Sequence, residues 1–285
     1  MARVAVITDS ASDLDPAEAA EAGVSVVPLI VTFGPDSYRA GVEMSTEAFW
    51  ERMTAPDAPF PTTAASSPGV FRDAYEAAFS DGAEAIISIH VAGLLSGTIK
   101  SAQIAREMLP DRAIHVVDSQ GASKAQAILA RMAVAMAADG TEPGEIAEYL
   151  SRRASDLRMY VALETLEYLK RGGRISGARA AIGTLLSVKP IIAVEAGVVT
   201  TPDRVRTRAK ARERLIEMIT ARPIERLEIL HTVTPDVEQF RQEVIERATG
   251  SLDPSTVTVG LVGASVGPHL GPGCLGAAVL YEAGT

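Results

Sequence analysis

Short apolar blocks alternate with amphipathic stretches along most of the chain. Residues 3–8 form an apolar run with the pattern of a buried strand. The polar run Thr8-Asp9-Ser10-Ala11-Ser12-Asp13 follows, and Asp15-Pro16 opens a helix with proline in its first turn. Residues 24–33 predict a second strand and Gly34-Pro35-Asp36 a turn. A short helix is predicted over 46–53. The proline-rich loop 55–61 leads to Ser66 or Ser67, one of which caps a helix to about Phe79. The stretch 86–102 reads as a strand that breaks at Gly93 and restarts as a helix over 99–109. Strand 113–117 ends in Asp118-Ser119-Gln120-Gly121, before a long Ala-rich helix to about Ala138. Strands alternating with helices predict a parallel sheet covered on both faces.

Around Asp156 the pattern changes. Residues 157–162 predict a strand and 164–169 a helix, which Gly172-Gly173 ends; Ser176 is placed to cap the next. Residues 189–194 and 198–200 flank Glu195-Ala196-Gly197 as a hairpin. A helix bearing Arg204, Arg206, Arg208, Lys210, Arg212 and Arg214 runs to about Ile219. Strands are predicted at 226–231, 256–262 and 277–281, with a helix over 235–248. The fold class expected is α/β in two domains. Residues 1–155 form a parallel, Rossmann-like domain, and 156–285 a mixed α+β domain, with a ligand between them.

In parallel sheets, ligands bind beyond the carboxyl ends of the strands. Three polar loops follow strands here, over 9–13, 91–98 and 118–121, and should gather on one edge. At Ser96-Gly97-Thr98 a strand feeds a helix N-terminus carrying two hydroxyls, an arrangement suited to an anion. Ser96 acting only as a helix cap is the plainer alternative.

Composition narrows the classes. The chain has 285 residues, 47% hydrophobic but only 5% aromatic, so its core is built from Ala, Val, Ile and Leu. A net charge of −9 argues against nucleic acid as the main partner. Residues 1–155 carry 21 acids and 11 bases, and 156–285 carry 15 acids and 16 bases, as two domains of different electrostatics would. Cys274 is the single cysteine, which excludes an internal disulfide and a cysteine-built zinc site. No apolar run reaches the ~18–20 residues a membrane span needs. No signal-peptide pattern opens the chain, so a cytoplasmic location is expected.

Two motif matches mislead. Gly263-Ala264-Ser265-Val266-Gly267 has the G-x-S-x-G spacing of a hydrolase elbow, which needs a helix directly after the serine. Pro268, Gly271, Pro272 and Gly273 argue against that helix. Gly271-Pro272-Gly273-Cys274-Leu275-Gly276 spells G-x-G-x-x-G, but the dinucleotide fingerprint needs a following helix and an acid ~20 residues on. A glycine turn that places His269 near a cleft accounts for it better. His269 is either a buried structural histidine or a residue beside a ligand. The basic helix is either a solvated face or a docking surface for an acidic partner.

Several stretches, in this order and spacing, resemble the DegV family of bacterial proteins. They are ITDSASDL from Ile7, VVPL from Val26, PTTAASSPGVF from Pro61, LSGT from Leu95, VVDS from Val116, LEYLKRGGRIS from Leu166 and HLGPGCLG from His269. The resemblance spans nearly the whole chain. It implies a protein that binds a long-chain fatty acid, such as palmitate, between two α/β domains. The carboxylate would be held by Ser96 and Thr63, with Gly97, Thr98 and His269 beside it. Asp9, Ser10, Ser119, Arg171 and Arg174 would support the site or face a partner. A partner kinase would phosphorylate the bound acid to an acyl phosphate, with transient contact at a membrane surface and no cofactor or metal. The chain departs from the family pattern at Ala64 and Ala65, at Ile99 after Ser-Gly-Thr, and at Lys124. The alternatives are a stand-alone acyl hydrolase or phosphoryl transferase, and a binder of a small organic acid or phosphate.

Overall fold

The computed structural model describes residues 3–175 and 188–284. Ser176 therefore lies outside the described residues. In chain order the first half holds β1 (Val4–Asp9), α1 (Pro16–Glu21), β2 (Val24–Val27), β3 (Ile30–Phe33), β4 (Asp36–Arg39), α2 (Thr46–Thr54), β5 (Thr62–Ala64), α3 (Pro68–Ser80), β6 (Ala85–His90), α4 (Thr98–Glu107), β7 (Ala113–Asp118), α5 (Lys124–Ala138) and α6 (Pro143–Arg153). The second half adds β8 (Leu157–Ala162), α7 (Glu167–Arg171), β9 (Lys189–Glu195), β10 (Val198–Val205), α8 (Arg208–Ile219), β11 (Ile224–His231), α9 (Val237–Arg247), β12 (Thr258–Leu261), α10 (Gly267–Leu270) and β13 (Leu275–Tyr281).

The strands form three sheets among the described residues. The first has the order β2-β1-β6-β7, and every pairing in it is parallel. The second has the order β10-β9-β8-β13-β11-β12; it is antiparallel except at β11–β12. No strand is shared between them. The third, β4-β3-β5, is a small antiparallel sheet that the hydrophobic pattern did not predict.

Pro28 explains that difference. Residues 24–33 read as one strand, yet Pro28 has no N–H to donate to a ladder and separates β2 from β3. The next N–H, from Leu29, donates to Ser10 Oγ at 2.8 Å. The chain thereby leaves the parallel sheet and starts another.

Helix α5 lies between the two large sheets, in contact with β1 and β6 on one side and β8, β11 and β13 on the other. Every residue from Lys124 to Ala130 is buried. A helix covered on two sides has little room, and its alanines let both sheets approach. Lys124 is buried with the rest; its Nζ donates to Glu18 Oε2 at 2.9 Å. Its stem crosses Gly260, where a Cβ would stand 2.0 Å from the lysine Cε. The departure at Lys124 is thus accommodated by a glycine in the facing strand β12.

Other expectations shift by a few residues. The helix expected to start at Glu164 starts at Glu167. The basic helix starts at Arg208; Arg204 is on strand β10 and Arg206 in the connection, so the six bases share no helix. Arg208, Arg212 and Arg214 are held in ion pairs with Glu164 and Asp236, with Glu243, and with Asp203 and Glu217. A one-turn helix, α10, does follow Ser265, because Pro268 falls in its first turn, where no N–H is required. Ser67 occupies the N-cap of α3 without a side-chain hydrogen bond, while Ser66 Oγ donates to the Pro28 carbonyl. Helix α6 was not read from the sequence; it buries Ile146 and Leu150.

Asp13 joins three elements beside α5. Its Oδ2 accepts from Ser123 Oγ at 2.5 Å and its Oδ1 from the Gly263 N–H at 2.9 Å. Burial raises its pKa to about 6, against the pull of those hydrogen bonds and of Lys124. The folded state thus binds a proton that the unfolded chain releases near pH 4, so stability falls as pH rises from about 4 through 6. Asn keeps both hydrogen bonds without a charge to desolvate. Denaturant titrations of Asp13→Asn from pH 4 to 8 should lack that slope, and the variant should be about 1–3 kcal/mol more stable than wild type at pH 8.

Candidate functional site

Parallel pairing and register place the carboxyl ends of β1, β6 and β7 side by side: Thr8 is level with Ile89, and His90 with Asp118. The three polar loops therefore meet on one edge, as expected, and they bond to one another. Ala92 N–H donates to the Gly121 carbonyl at 2.9 Å, Ser123 N–H to the Ala11 carbonyl at 2.7 Å, and Gly93 N–H to Asp118 Oδ2 at 3.1 Å.

Between this edge and the second sheet is a cavity, partly open to solvent. The first half lines it with Ala11, Leu29, Val91, Leu95 and Ala122, and the second with Met159, Leu169, Ile192, Val194 and Val199. The wall also holds Thr63, Ser96, Arg174, Ser265 and His269. The chamber is a largely apolar slot with a few polar groups, the ordinary form of a small-molecule site.

Thr63 and His269 meet across the cavity wall, Oγ1 to Nε2 at 3.1 Å. Burial, with a smaller effect from the Arg174 charge, depresses the His269 pKa to about 4, so the ring is neutral at physiological pH. Its Nδ1 is buried and has no hydrogen-bond partner among the described residues. A buried N–H without an acceptor is rare, which favours the tautomer with its proton on Nε2. Nε2–H then donates to Thr63 Oγ1, and the threonine keeps its own proton to donate into the cavity.

Ser96 Oγ is 2.8 Å from Thr98 Oγ1 and accepts from the Thr98 N–H at 3.3 Å. It lines the cavity and accepts the first N–H of α4, but it is not the expected N-cap residue. Gly97 is the N-cap residue, in an ordinary conformation with open space where a Cβ would be, and Thr98 is buried behind Ser96. Neither Gly97 nor Thr98 is among the cavity-lining residues.

Arg174 was expected to support the site or face a partner, and it stands in the cavity wall. Its Nε donates to the Leu95 carbonyl at 3.1 Å and its Nη1 to the Gly172 carbonyl at 2.7 Å. It forms no ion pair with a carboxylate among the described residues, and desolvation lowers its pKa. A half-buried guanidinium with donors to spare favours an anion beside it. Arg171 is exposed, with its guanidinium 3.9 Å from the Phe60 ring centroid.

The remaining expected residues do not line the cavity. Asp9 is fully buried: its Oδ1 accepts from the Ala11 N–H, and its Oδ2 from the Val91 N–H and from His90 Nδ1. The Ser119 hydroxyl bonds within its own loop, to Gly121, while its N–H donates to the His90 carbonyl at 3.0 Å. Ser10 Oγ bonds Ser265 Oγ at 2.8 Å. Sequence reading missed that Asp9, His90 and Ser88 line up, with His90 Nε2 2.6 Å from Ser88 Oγ. That order imitates a hydrolase triad, but all three residues have 0% exposure, so no substrate reaches them. Their only sequence signal is the i, i+2 spacing of Ser88 and His90 on one face of β6.

An apolar slot with a polar end, lying between a parallel and a mixed sheet, defines a two-sheet α/β protein with an internal small-molecule pocket. The chain belongs to the DegV family, whose sequence profile, described as uncharacterised DegV-family proteins, matches residues 3–282. A DegV domain-containing protein of Streptomyces coelicolor is 34% identical over 282 residues, 97% of this chain and 98% of that one. Among solved structures, a DegV family protein from Thermus thermophilus described for its fatty acid binding superimposes with a TM-score of 0.88. It is 33% identical and covers 98% of this chain and 100% of its own. A stearic acid-binding protein from Eubacterium ventriosum gives a TM-score of 0.86 at 26% identity, covering 98% of each chain.

Gly172 is the tightest neighbour of the polar end. A Cβ there would stand 2.1 Å from His269 Nδ1, although the residue's own backbone angles suit any side chain. Gly172→Ala should therefore push the imidazole off Thr63 and toward solvent. Histidine titration by NMR should show one ring neutral down to about pH 4 in wild type, shifted toward 6.5 in the variant. An unmoved titration would mean that the ring does not depend on this contact.

Proposed function

We propose that the protein binds a long-chain fatty acid, with its carboxylate at Thr63, Ser96 and Arg174 and its tail in the apolar slot. The observation that carries this is a cavity whose walls are aliphatic and whose polar groups include two hydroxyls and an arginine without a carboxylate partner among the described residues. At about 0.8 kcal/mol per buried CH₂, a tail of roughly fifteen methylenes offers on the order of 12 kcal/mol before costs. Affinity then comes from the tail, and the polar end fixes direction. Residues 1–155 and 156–285 act as two domains that close on the ligand.

The protein acts as a carrier that presents the carboxylate to a partner kinase for acyl-phosphate formation. Arg171, exposed near the polar end, is our choice for the partner-facing cation; the basic helix is less suited, since Arg208, Arg212 and Arg214 already have carboxylate partners. No helix among the described residues is long and apolar enough to cross a membrane, so any membrane contact would be made at the surface. The hydrolase alternative lacks a base for Ser265: its hydroxyl meets Ser10, while His269 Nε2 meets Thr63.

Hydrogen bonds to a charged group contribute ~1.5–3 kcal/mol. Ser96→Ala should weaken palmitate binding roughly ten- to a hundredfold by calorimetry, and the double change with Thr63→Ala by more. The fold should lose no more than a cap's worth of stability, about 1 kcal/mol. Unchanged affinity of the folded double variant would place the carboxylate elsewhere. Arg171→Glu should slow acyl-phosphate formation by a purified fatty acid kinase and leave palmitate affinity as it is. If affinity falls and the kinetics do not, the partner surface is misassigned.

A further inference from the structure

Ser265, the serine of the G-x-S-x-G stretch, lines the slot but is neither a proposed carboxylate contact nor, like His269, bonded to one. It is 7% exposed and lines the cavity among aliphatic side chains. Among the described residues its hydroxyl meets a single side chain, Ser10, at 2.8 Å. Ser10 Oγ already accepts the Leu29 N–H. Two proton arrangements are open to the pair. If Ser10 donates, Ser265 keeps a free proton; if Ser265 donates, it keeps free lone pairs. Either way a buried hydroxyl has hydrogen-bonding capacity that an all-carbon chain cannot fill, and burying such a group unfilled is unfavourable.

A ligand hydroxyl both donates and accepts, so it complements Ser265 in either arrangement. A keto oxygen complements only one. We infer that the slot is built for an acyl chain carrying a hydroxyl near its carboxyl end, and that Ser265 is the residue that reads it. This inference rests on the fatty-acid reading of the site. The placement follows from two consecutive tight turns between Ser265 and His269: the Gly267 N–H donates to the Gly263 carbonyl at 2.8 Å and the His269 N–H to the Val266 carbonyl at 3.0 Å. Residues four apart across such turns have Cβ atoms about 5–6 Å apart. His269 backs Thr63 at the polar end, so Ser265 meets the chain a few carbons further in. A 3-hydroxy acid fits that distance. A hydroxyl at mid-chain would be carried past Ser265, toward aliphatic walls.

Calorimetric titration of the full chain with palmitic, racemic 3-hydroxypalmitic, stearic and 12-hydroxystearic acids tests this. Wild type should bind the 3-hydroxy acid roughly three- to tenfold more tightly than palmitate, as one net hydrogen bond gives, and 12-hydroxystearate no more tightly than stearate. In Ser265→Ala the ratio of the two C16 affinities should fall to about one. Equal binding of the two C16 acids by wild type overturns the inference and leaves the fatty-acid reading standing. So does a preference that survives in Ser265→Ala, or an equal gain for the 12-hydroxy acid. If none of the four acids binds, the inference falls together with the reading beneath it.

Discussion

Two sheets can share one helix only if that helix is thin, and everything else in this molecule depends on α5 meeting that condition. Its alanines allow β1 and β6 to approach from one side and β8, β11 and β13 from the other. A bulky aromatic in their place would hold the sheets apart and widen the space between them. The slot begins where the helix ends: Ala122, two residues before α5, is part of its wall. The helix thus sets the distance across which aliphatic residues from both sheets face each other. Its charged flank is held within the first half by Lys124 with Glu18, while Arg131 with Glu228 bridges the two halves.

Much of the fold was legible because burial leaves a simple trace. Strands β1, β6 and β7 are near-continuous apolar runs, as parallel strands covered on both faces must be. The polar loop after each marks the edge where the strands stop. What was not legible depends on partners distant in the chain. Residues 24–33 divide because Pro28 breaks the ladder and Ser10, far upstream, takes the next N–H. The turn of helix after Ser265 was masked by Pro268, a residue that stops a helix in its middle and suits its first turn.

The candidate site was legible in part for the same reason. Ser96, Thr63 and His269 sit in short stretches that stand out from the pattern around them, and all three line the cavity. Arg174 was expected behind the site or facing a partner, not in the wall itself, because a sequence does not show which arginine lacks a carboxylate. Asp9 looked like a site residue, because the carboxyl end of β1 is where ligands usually meet a parallel sheet; its partner His90 turns it inward. Gly172 gave no sign of its importance, since its backbone angles are ordinary and only the imbalance of space around His269 reveals it.

The polar end is also divided between the halves of the chain. Thr63 and Ser96 come from the first and Arg174 and His269 from the second, with direct contacts across the seam between Thr63 and His269 and between Arg174 and Leu95. Anything that binds there touches both sides and is lost when they separate. Occupancy is then thermodynamically linked to assembly: the chain holds its two sheets together more firmly when loaded, by RT ln(1 + [L]/Kd). A loaded and an empty molecule differ in cohesion as well as in cargo. On the proposed reading, that difference would distinguish a loaded chain from an empty one without inspection of the cargo itself.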